Sequence, residues 1–571
     1  MRVRAWLLAL GAGLALSSGV YGQARPPSQR TGPITIYGDG STGPADTFSI
    51  KPIVRGATYY LNELLRRQIH ALDFCTAEER GDISSYTGAL DARQCLQTAI
   101  DTARDRGKAL WVDAGFWNLK GRVTVSGMGQ TIRGEGWGEL PNFTPAGVPI
   151  RTTKGTIINF DYLALTDPYG IYLTASNPVI RDIELRQTQP NPGPGWTPNV
   201  GPWGVYAYAD PLADAGAHRM TVDNVMLRNL YDGINTGITR GGTFSDVFGQ
   251  PFHRGIRVES NVDEPHFRNI HLGWTYWTGQ ADALAWEHAN LVALDFLRVD
   301  NPKLTSVFTF NANVGLRCSQ RTDSYNPGNC NRLSAANLEF DAVVTGMDLQ
   351  DGAVVSVANY GCYADSAVAG STCLNNRQVV ATDFFQGSSI EISGADLQGA
   401  SGPAMQFGFS PLYSPPTHQL SNVRIRSFDQ ANAGNSAITA AARVTVQKGN
   451  LVVDGTTDPS RIFGGAGRLI IPGNGLIDGA GYTEMTNGMI LQWGKVVPTG
   501  GTATVTFPRA CSVPAYSVTA VPEFTATASA LEAVSVSNVS ATGFLAYNRY
   551  SNGSAIFTTN EAIFWQAVCK Q

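Results

Sequence analysis

The sequence predicts an all-β chain wound as a solenoid, on three observations. The first is a repeat. From Val179 to about Val446 an Asp or Asn followed by an apolar residue keeps returning, as Asp182-Ile183, Asn224-Val225, Asp246-Val247, Asn269-Ile270, Asp295-Phe296, Asn337-Leu338, Asp396-Leu397 and Asn422-Val423. Intervals of 22 and 23 residues among the early pairs read as one turn, and the longer ones as turns with insertions. A fixed period of that size means stacked units, none of which buries its apolar face alone. The second is the material of each unit. Short β-branched or leucine-containing runs such as VIRDIEL, MTVDNVML, HFRNIHL and HQLSNVRI are separated by Gly, Asn and Asp, which favours strands over helices. The third is composition: 62 Gly and 30 Pro among 571 residues, with only 15% charged, fits many tight turns and few exposed helices.

Taken in order, residues 1–24 read as a signal peptide. Arg2 and Arg4 precede an apolar run from Ala5 to Leu16 and then small residues, with cleavage expected after Gly22 or Ala24. That run is too short for a membrane span, and no later stretch qualifies. Residues 25–68 read as a leader with a short strand in ITIYGDG and a short helix around Leu61 to Arg67. From Asp91 to Arg106 the chain is amphipathic, with Asp91 as cap and Cys95, Ala99, Ile100 and Ala103 on one stripe. One helix followed by strands suits a cap over the first, otherwise open, coil. The GEGWG at Gly134 to Gly138 lacks the strand-to-helix context of a dinucleotide loop and reads as a turn.

The succession LDF, GD, DARQCLQTAIDTA, ALWVDAGFWNL and TIRGEG, within residues 69 to 140, resembles the start of the pectate-lyase-like right-handed parallel β-helix family, found in phage tailspikes and secreted polysaccharide-degrading enzymes. Cys75 and a longer acidic loop stand where that family has a small FGA turn, and GALDAR where TDDT is usual. The resemblance implies a right-handed β-helix over residues 69–475. After about Gly475 the pattern changes to short alternating strands, and 476–571 reads as a small antiparallel β-sandwich. Asn487 to Gly494, Val505 to Pro508, Thr542 to Phe544 and Trp565 to Val568 resemble, in that order, the receptor-binding C-terminal domain of phage tail fibres. Cys511 and Cys569 depart from that pattern together, as a disulfide between them requires.

The eight cysteines fall as neighbours: Cys75 with Cys95, Cys318 with Cys330, Cys362 with Cys373, Cys511 with Cys569. Local pairing is the economical expectation, each short loop then stabilising by about 3 kcal/mol. Without a Cys-x-x-Cys and with seven scattered His, no zinc site is expected. There is no EF-hand-type loop and no Gly-x-Ser-x-Gly elbow, so no metal, cofactor or serine nucleophile is expected. A net charge of −4 gives no reason for a nucleic-acid partner.

A ligand on a solenoid lies where outward side chains align from coil to coil. Residues 232–237, 254–259 and 282–287 overlay, which places Ile234, Ile256 and Leu284 inward and sends Asn235, Arg257, Glu259 and Glu287 outward. Glu259 and Glu287 are then stacked neighbours and the expected catalytic pair. Two such carboxylates do not ionise independently, which glycoside hydrolysis uses. A structural ion ladder neutralised by Arg257 is the alternative. Tyr206, Tyr208, Trp274, Trp277 and Asp348, with Asn235 and Arg257, are the expected substrate-binding residues, since aromatic faces beside hydrogen-bonding groups suit sugars. His253, His288, Arg254 and Arg257 would serve a β-eliminating lyase.

The expected function is an exported protein, secreted or periplasmic, or a virion tail component, that binds and cleaves a cell-surface or extracellular polysaccharide. The alternative is a non-catalytic glycan adhesin. The tail-protein resemblances also imply a homotrimer, although the sequence shows no heptad seam.

Overall fold

A computed structural model describes residues 68–570 except 139–154, 211–214, 322–326, 351, 378–388, 409–415, 442–443, 455, 457–458, 466–467, 471–480, 485–488, 523–530, 552–555 and 559–562. The chain divides into two compact units, 1–67 and 68–571. Of the first, the described part is an antiparallel pair, Ile36–Tyr37 with Ser49–Ile50, which includes the strand read in ITIYGDG. The signal-peptide reading and the helix expected near Leu61 lie outside the described residues.

The second unit begins with a cap. Its main helix, Arg93–Asp105, buries Cys95, Leu96, Ala99, Ile100 and Ala103. The N-cap position is Ala92, and Asp91 works one residue before it: its carboxylate accepts from the backbone N–H of Arg93 and of Lys120, at 3.0 and 3.1 Å. The acidic stretch read as a longer loop holds a second helix, Ala77–Ser84, started by a reciprocal box in which Thr76 and Glu79 each bond the other's backbone. Cys75–Cys95 ties this segment to the main helix.

The body is the expected right-handed parallel β-helix. One long parallel sheet runs from Gln68–His70 through Val179–Gln187, Thr221–Leu227, Thr243–Gly249, His266–Leu272, Lys303–Phe310, Leu333–Val343, Val354–Ala364 and Ser389–Gln398 to Thr417–Ile425 and beyond. A second carries Tyr169–Leu173, Trp203–Ala207, Asp232–Asn235, Arg254–Asn261, Val292–Asp300, Val314–Cys318, Thr345–Gln350, Thr372–Arg377 and Met405–Phe407. Inward positions stack like on like: Val222, Phe244, Phe267 and Leu304 lie in register and are at most 1% exposed. The Phe244 and Phe267 rings lie 4.8 Å apart at 7°. Deleting any of these side chains to Ala costs about 2–5 kcal/mol.

The Asp/Asn repeat is a bend. Asp182, Asn224, Asp246, Asn269, Ser306, Asn337, Asn359 and Asn422 all have φ between +52° and +58° and occupy one register position in the middle of the long sheet's strands. Asn and Asp tolerate this left-handed conformation, which β-branched residues do not. Gly394, at φ +82°, fills the one remaining place between Asn359 and Asn422. Side-chain amides link successive coils: Asn224 Nδ2 to Asp182 Oδ1 at 2.8 Å, Asn269 to Asp246 at 2.6 Å, Asn359 to Asn337 at 3.1 Å. Asp295 and Asp396 do not belong to this column; Asp295 is on the second sheet and Asp396 lies two residues past Gly394. Asn224→Val is expected to destabilise by about 1–2 kcal/mol through the strained φ alone, with Asn224→Gly losing less, as chemical denaturation of the two variants would show.

The C-terminal strands form the expected antiparallel pair of sheets. Met489–Val496, Ile563–Lys570 and Ser517–Pro522 pair in one, and Thr502–Thr506, Gly543–Ser551 and Leu531–Ser537 in the other. Ile490, Phe507, Phe544 and Trp565 form their shared core. The other three disulfides, Cys318–Cys330, Cys362–Cys373 and Cys511–Cys569, pair as expected, with no free cysteine among the described residues. Among those residues no helix is long and apolar enough to cross a membrane.

Candidate functional site

The outward row of the second sheet runs Tyr172, Tyr206, Asn235, Arg257, Asp295, Arg317, Asp348. The first overlay is right, since Asp232–Asn235 pairs with Arg254–Asn261 in the expected register. The next is corrected. Residues 282–287 are not a strand but part of the helix Ala281–Asn290, and the strand beside Arg254–Asn261 is Val292–Asp300. ADALAWEHAN is rich in strong helix formers, whereas VALDFLRVD carries the β-branched residues, so this signal was present in the sequence. Glu287 therefore has no place in an outward column with Glu259, and the stacked pair does not form.

Glu287 is fully buried beside a satellite aromatic cluster of Trp196, Phe252, Trp277 and Trp286, which includes its helix neighbour Ala283. Its Oε2 accepts from Gln250 Nε2 at 3.1 Å, and its Oε1 has no hydrogen-bond partner. Burial raises its carboxyl well above the usual range, only partly offset by Gln250 and Asn311. A folded-state value above the unfolded one means a contribution fully present below about 4.5 and lost as pH rises toward the folded value. Glu287→Gln should therefore raise resistance to denaturant at mildly alkaline pH and change little in acid; equal effects at both would refute a buried neutral acid. Trp277 belongs to this buried cluster, away from the outward row. The Trp274 side chain lies outside the described residues.

Asp348 is satisfied internally. Burial raises its carboxyl, but Arg377 at 2.8 Å, Gln350 at 2.9 Å and Arg317 at 3.3 Å outweigh that and hold it below the usual range. Arg254 and Asp295 pair at 2.9 Å, and Arg257 lies 3.6 Å from Glu259 and 3.8 Å from Asp295. The row is largely an ion ladder. At its aromatic end Asn235 donates to Glu259 at 2.9 Å, and burial, then Glu259, raises the Tyr206 hydroxyl. The structure thus gathers Tyr206, Tyr208, Asn235, Arg257 and Glu259 at one end, while Asp348 lies three coils further along.

A different place holds two outward carboxylates on one cavity. Where the long sheet bends, an open cavity of about 440 Å³ is lined by Asn337, Glu339, Asn359, Gly361, Gly394, Asp396 and their apolar neighbours. Register aligns Glu339 with Gly361 and Gly361 with Asp396. The carboxylates stand two coils apart, roughly 9.5 Å at the backbone, across a residue with no side chain. Leu338, Phe340, Tyr360, Cys362 and Leu397 point inward and fix this outward direction. A Cβ added at Gly361 would meet Glu339 Cγ at an ordinary 3.5 Å, so the space is open rather than strained. Asp396 is ion-paired through Oδ2 with Arg426, and its Oδ1 is unpartnered. Glu339 is exposed and has no ion pair among the described residues. Sequence reading missed this pair because the Asp396 pair was assigned to the bend and an insertion separates the coils.

Fold and topology together define a parallel β-helix followed by a small domain of antiparallel sheets. Residues 484–568 match the family model for the C-terminal region of gp53-like tail fiber proteins. No curated protein matches the sequence. Solved structures with a similar chain path include the Dettilon tailspike protein, at 11% identity over 90% of this chain and 96% of that one, with a TM-score of 0.38. The tailspike of E. coli bacteriophage HK620 is similar at 10% identity over 91% and 96%, TM-score 0.41. The mannuronan C-5 epimerase AlgE4 A-module of Azotobacter vinelandii is similar at 14% identity over 71% and 100%, TM-score 0.39. Neither the identities nor the TM-scores reach a level at which chemistry transfers from one chain to another.

Proposed function

We propose that this chain binds a cell-surface or extracellular polysaccharide and hydrolyses it in the bend groove, with Glu339 and Asp396 as the acid and base. The observation that supports this is the pairing of two outward carboxylates across the bare Gly361 in an open cavity. Inverting glycoside hydrolysis places its carboxyl groups about 6.5–9.5 Å apart, leaving room for a water, whereas retention needs about 5–5.5 Å. Asp396, ion-paired with Arg426, serves as the base that activates that water. Glu339, which has no ion pair among the described residues, serves as the acid that delivers a proton to the leaving oxygen. The coil-to-coil repeat lets a polymer lie along the helix axis, with Asn337 and Asn359 offering amides at the groove edge.

The proposed division is a leader, a β-helix over residues 69–475 that carries the groove and a terminal domain over 476–571 that contacts the cell surface. Export or a place in a virion tail, and a homotrimeric assembly, complete the reading; the tail-fibre family match supports the second of these locations. The test is incubation of the purified protein with candidate surface polysaccharides, following reducing ends together with the ultraviolet absorbance of an unsaturated uronate. Reducing ends alone are expected. Both signals together indicate elimination, and neither signal alongside measurable binding would leave an adhesin.

A further inference from the structure

The geometry points to a second saccharide-binding site, separate from the bend groove, on a tyrosine terrace at the N-terminal end of the second sheet. It rests on the glycan reading above for its class of ligand. Tyr169 aligns with Trp203, and Tyr172 with Tyr206, on successive coils. The Tyr169 and Tyr172 ring centroids lie 4.7 Å apart at 17°, Tyr169 and Tyr206 4.4 Å apart, and Tyr172 lies 6.1 Å from both Tyr206 and Tyr208. The Arg122 guanidinium stands 5.1 Å from the Tyr172 ring and 5.9 Å from that of Tyr169.

These rings are on the outside of the solenoid. Tyr169, Tyr172 and Tyr206 are half-buried and Tyr208 is 41% exposed, so four aromatic side chains share a surface that the coils from Asn235 to Gln406 give to ions and amides. The terrace runs without a break into polar groups. Asn235 and Glu259 are bonded to each other beside Tyr206, and Arg257 Nε has no hydrogen-bond acceptor. Flat aromatic faces cover the C–H face of a pyranose, and a fringe of amide, carboxylate and guanidinium takes its hydroxyls. Arg122 and Arg257 balance Glu259 and Asp167, which pairs with Arg122 at 3.6 Å, so the surface suits a neutral or weakly charged sugar better than a polyanion.

A site on the second sheet and a cleft on the long sheet would engage one polymer at two places. The terrace then holds the chain between cuts and does not touch the bond that breaks. The experiment is affinity electrophoresis of the full chain in gels cast with the polysaccharide, using Tyr172→Ala/Tyr206→Ala and, as a second disruption, Asn235→Ala/Glu259→Gln. Light scattering and far-ultraviolet circular dichroism of each variant are run alongside. The result expected is at least a tenfold loss of retardation affinity in both double variants, with fold and assembly unchanged. Cleavage of short oligosaccharides should be undiminished and KM for long polymer raised. Glu339→Gln should keep full retardation while losing cleavage, so failure of the groove and failure of the terrace are read separately. Undiminished retardation in both terrace variants overturns the inference. So does loss of the native assembly state, which would make the tyrosines a contact between copies of this chain.

Discussion

Glu339→Gln and Asp396→Asn are each expected to lower polysaccharide cleavage by at least about 100-fold with binding retained, because each removes one proton-transfer partner from the transition state and leaves the rest of the groove in place. The two losses should not add, since acid and base act in one step. Gly361→Leu reaches the same end by another route. Its backbone φ is not in the left-handed region and its Cβ fits, so the coil should survive, while the longer side chain fills the gap between the carboxylates. Product release measured as reducing ends checks all three. Full activity in Glu339→Gln, or in Gly361→Leu, contradicts the assignment, whereas Glu259→Gln should leave cleavage of short substrates intact.

The second large effect is on stability. Glu184 is fully buried on the long sheet between Arg186 and Arg228, with Arg228 donating from Nε at 2.6 Å and Nη2 at 2.8 Å, and from Nη1 to the Tyr276 carbonyl at 2.6 Å. Arg228→Met leaves that carboxylate with Arg186 alone and the Tyr276 carbonyl without its donor. A loss of about 3–5 kcal/mol is expected. Burial raises the Glu184 carboxyl, but Arg186 and Arg228 outweigh it and the folded value falls below the usual 4.5. The sign follows: the stabilisation is present above the unfolded value and lost as pH falls through the folded one. The native protein should therefore weaken in acid through this cluster, and the variant should show a smaller acid dependence in denaturant titrations.

Much of the architecture was legible because it rests on local chemistry. The Asp/Asn pairs mark a bend that needs φ near +55°, and few residues tolerate that conformation, so the requirement shows in the letters. Ser306 and Gly394 meet it as well but are neither Asp nor Asn, and Asn359, 22 residues after Asn337, was passed over because a tyrosine rather than an Ile, Val, Leu or Phe follows it. Three cysteine pairs were legible because each closes a short stretch, of 20, 12 and 11 residues, and Cys511–Cys569, 58 residues apart, because both cysteines depart together from the tail-fibre pattern. The site was less legible because it depends on register, and register is lost wherever a coil carries an insertion. The helix at Ala281–Asn290 shifted Glu287 into a false alignment with Glu259. Glu339 and Asp396 meet only through Gly361, and a glycine in a strand announces nothing about which carboxylates it separates.

The groove assignment makes one stereochemical claim. Carboxyl groups that keep their two-coil spacing, roughly 9.5 Å at the backbone, leave room for a water and lie beyond the closer approach that retention uses. Proton NMR of the first-formed reducing end, recorded before mutarotation, reads this directly. The account predicts an anomer opposite in configuration to the bond cleaved. A first product with the original configuration, or an unsaturated uronate in its place, would contradict it.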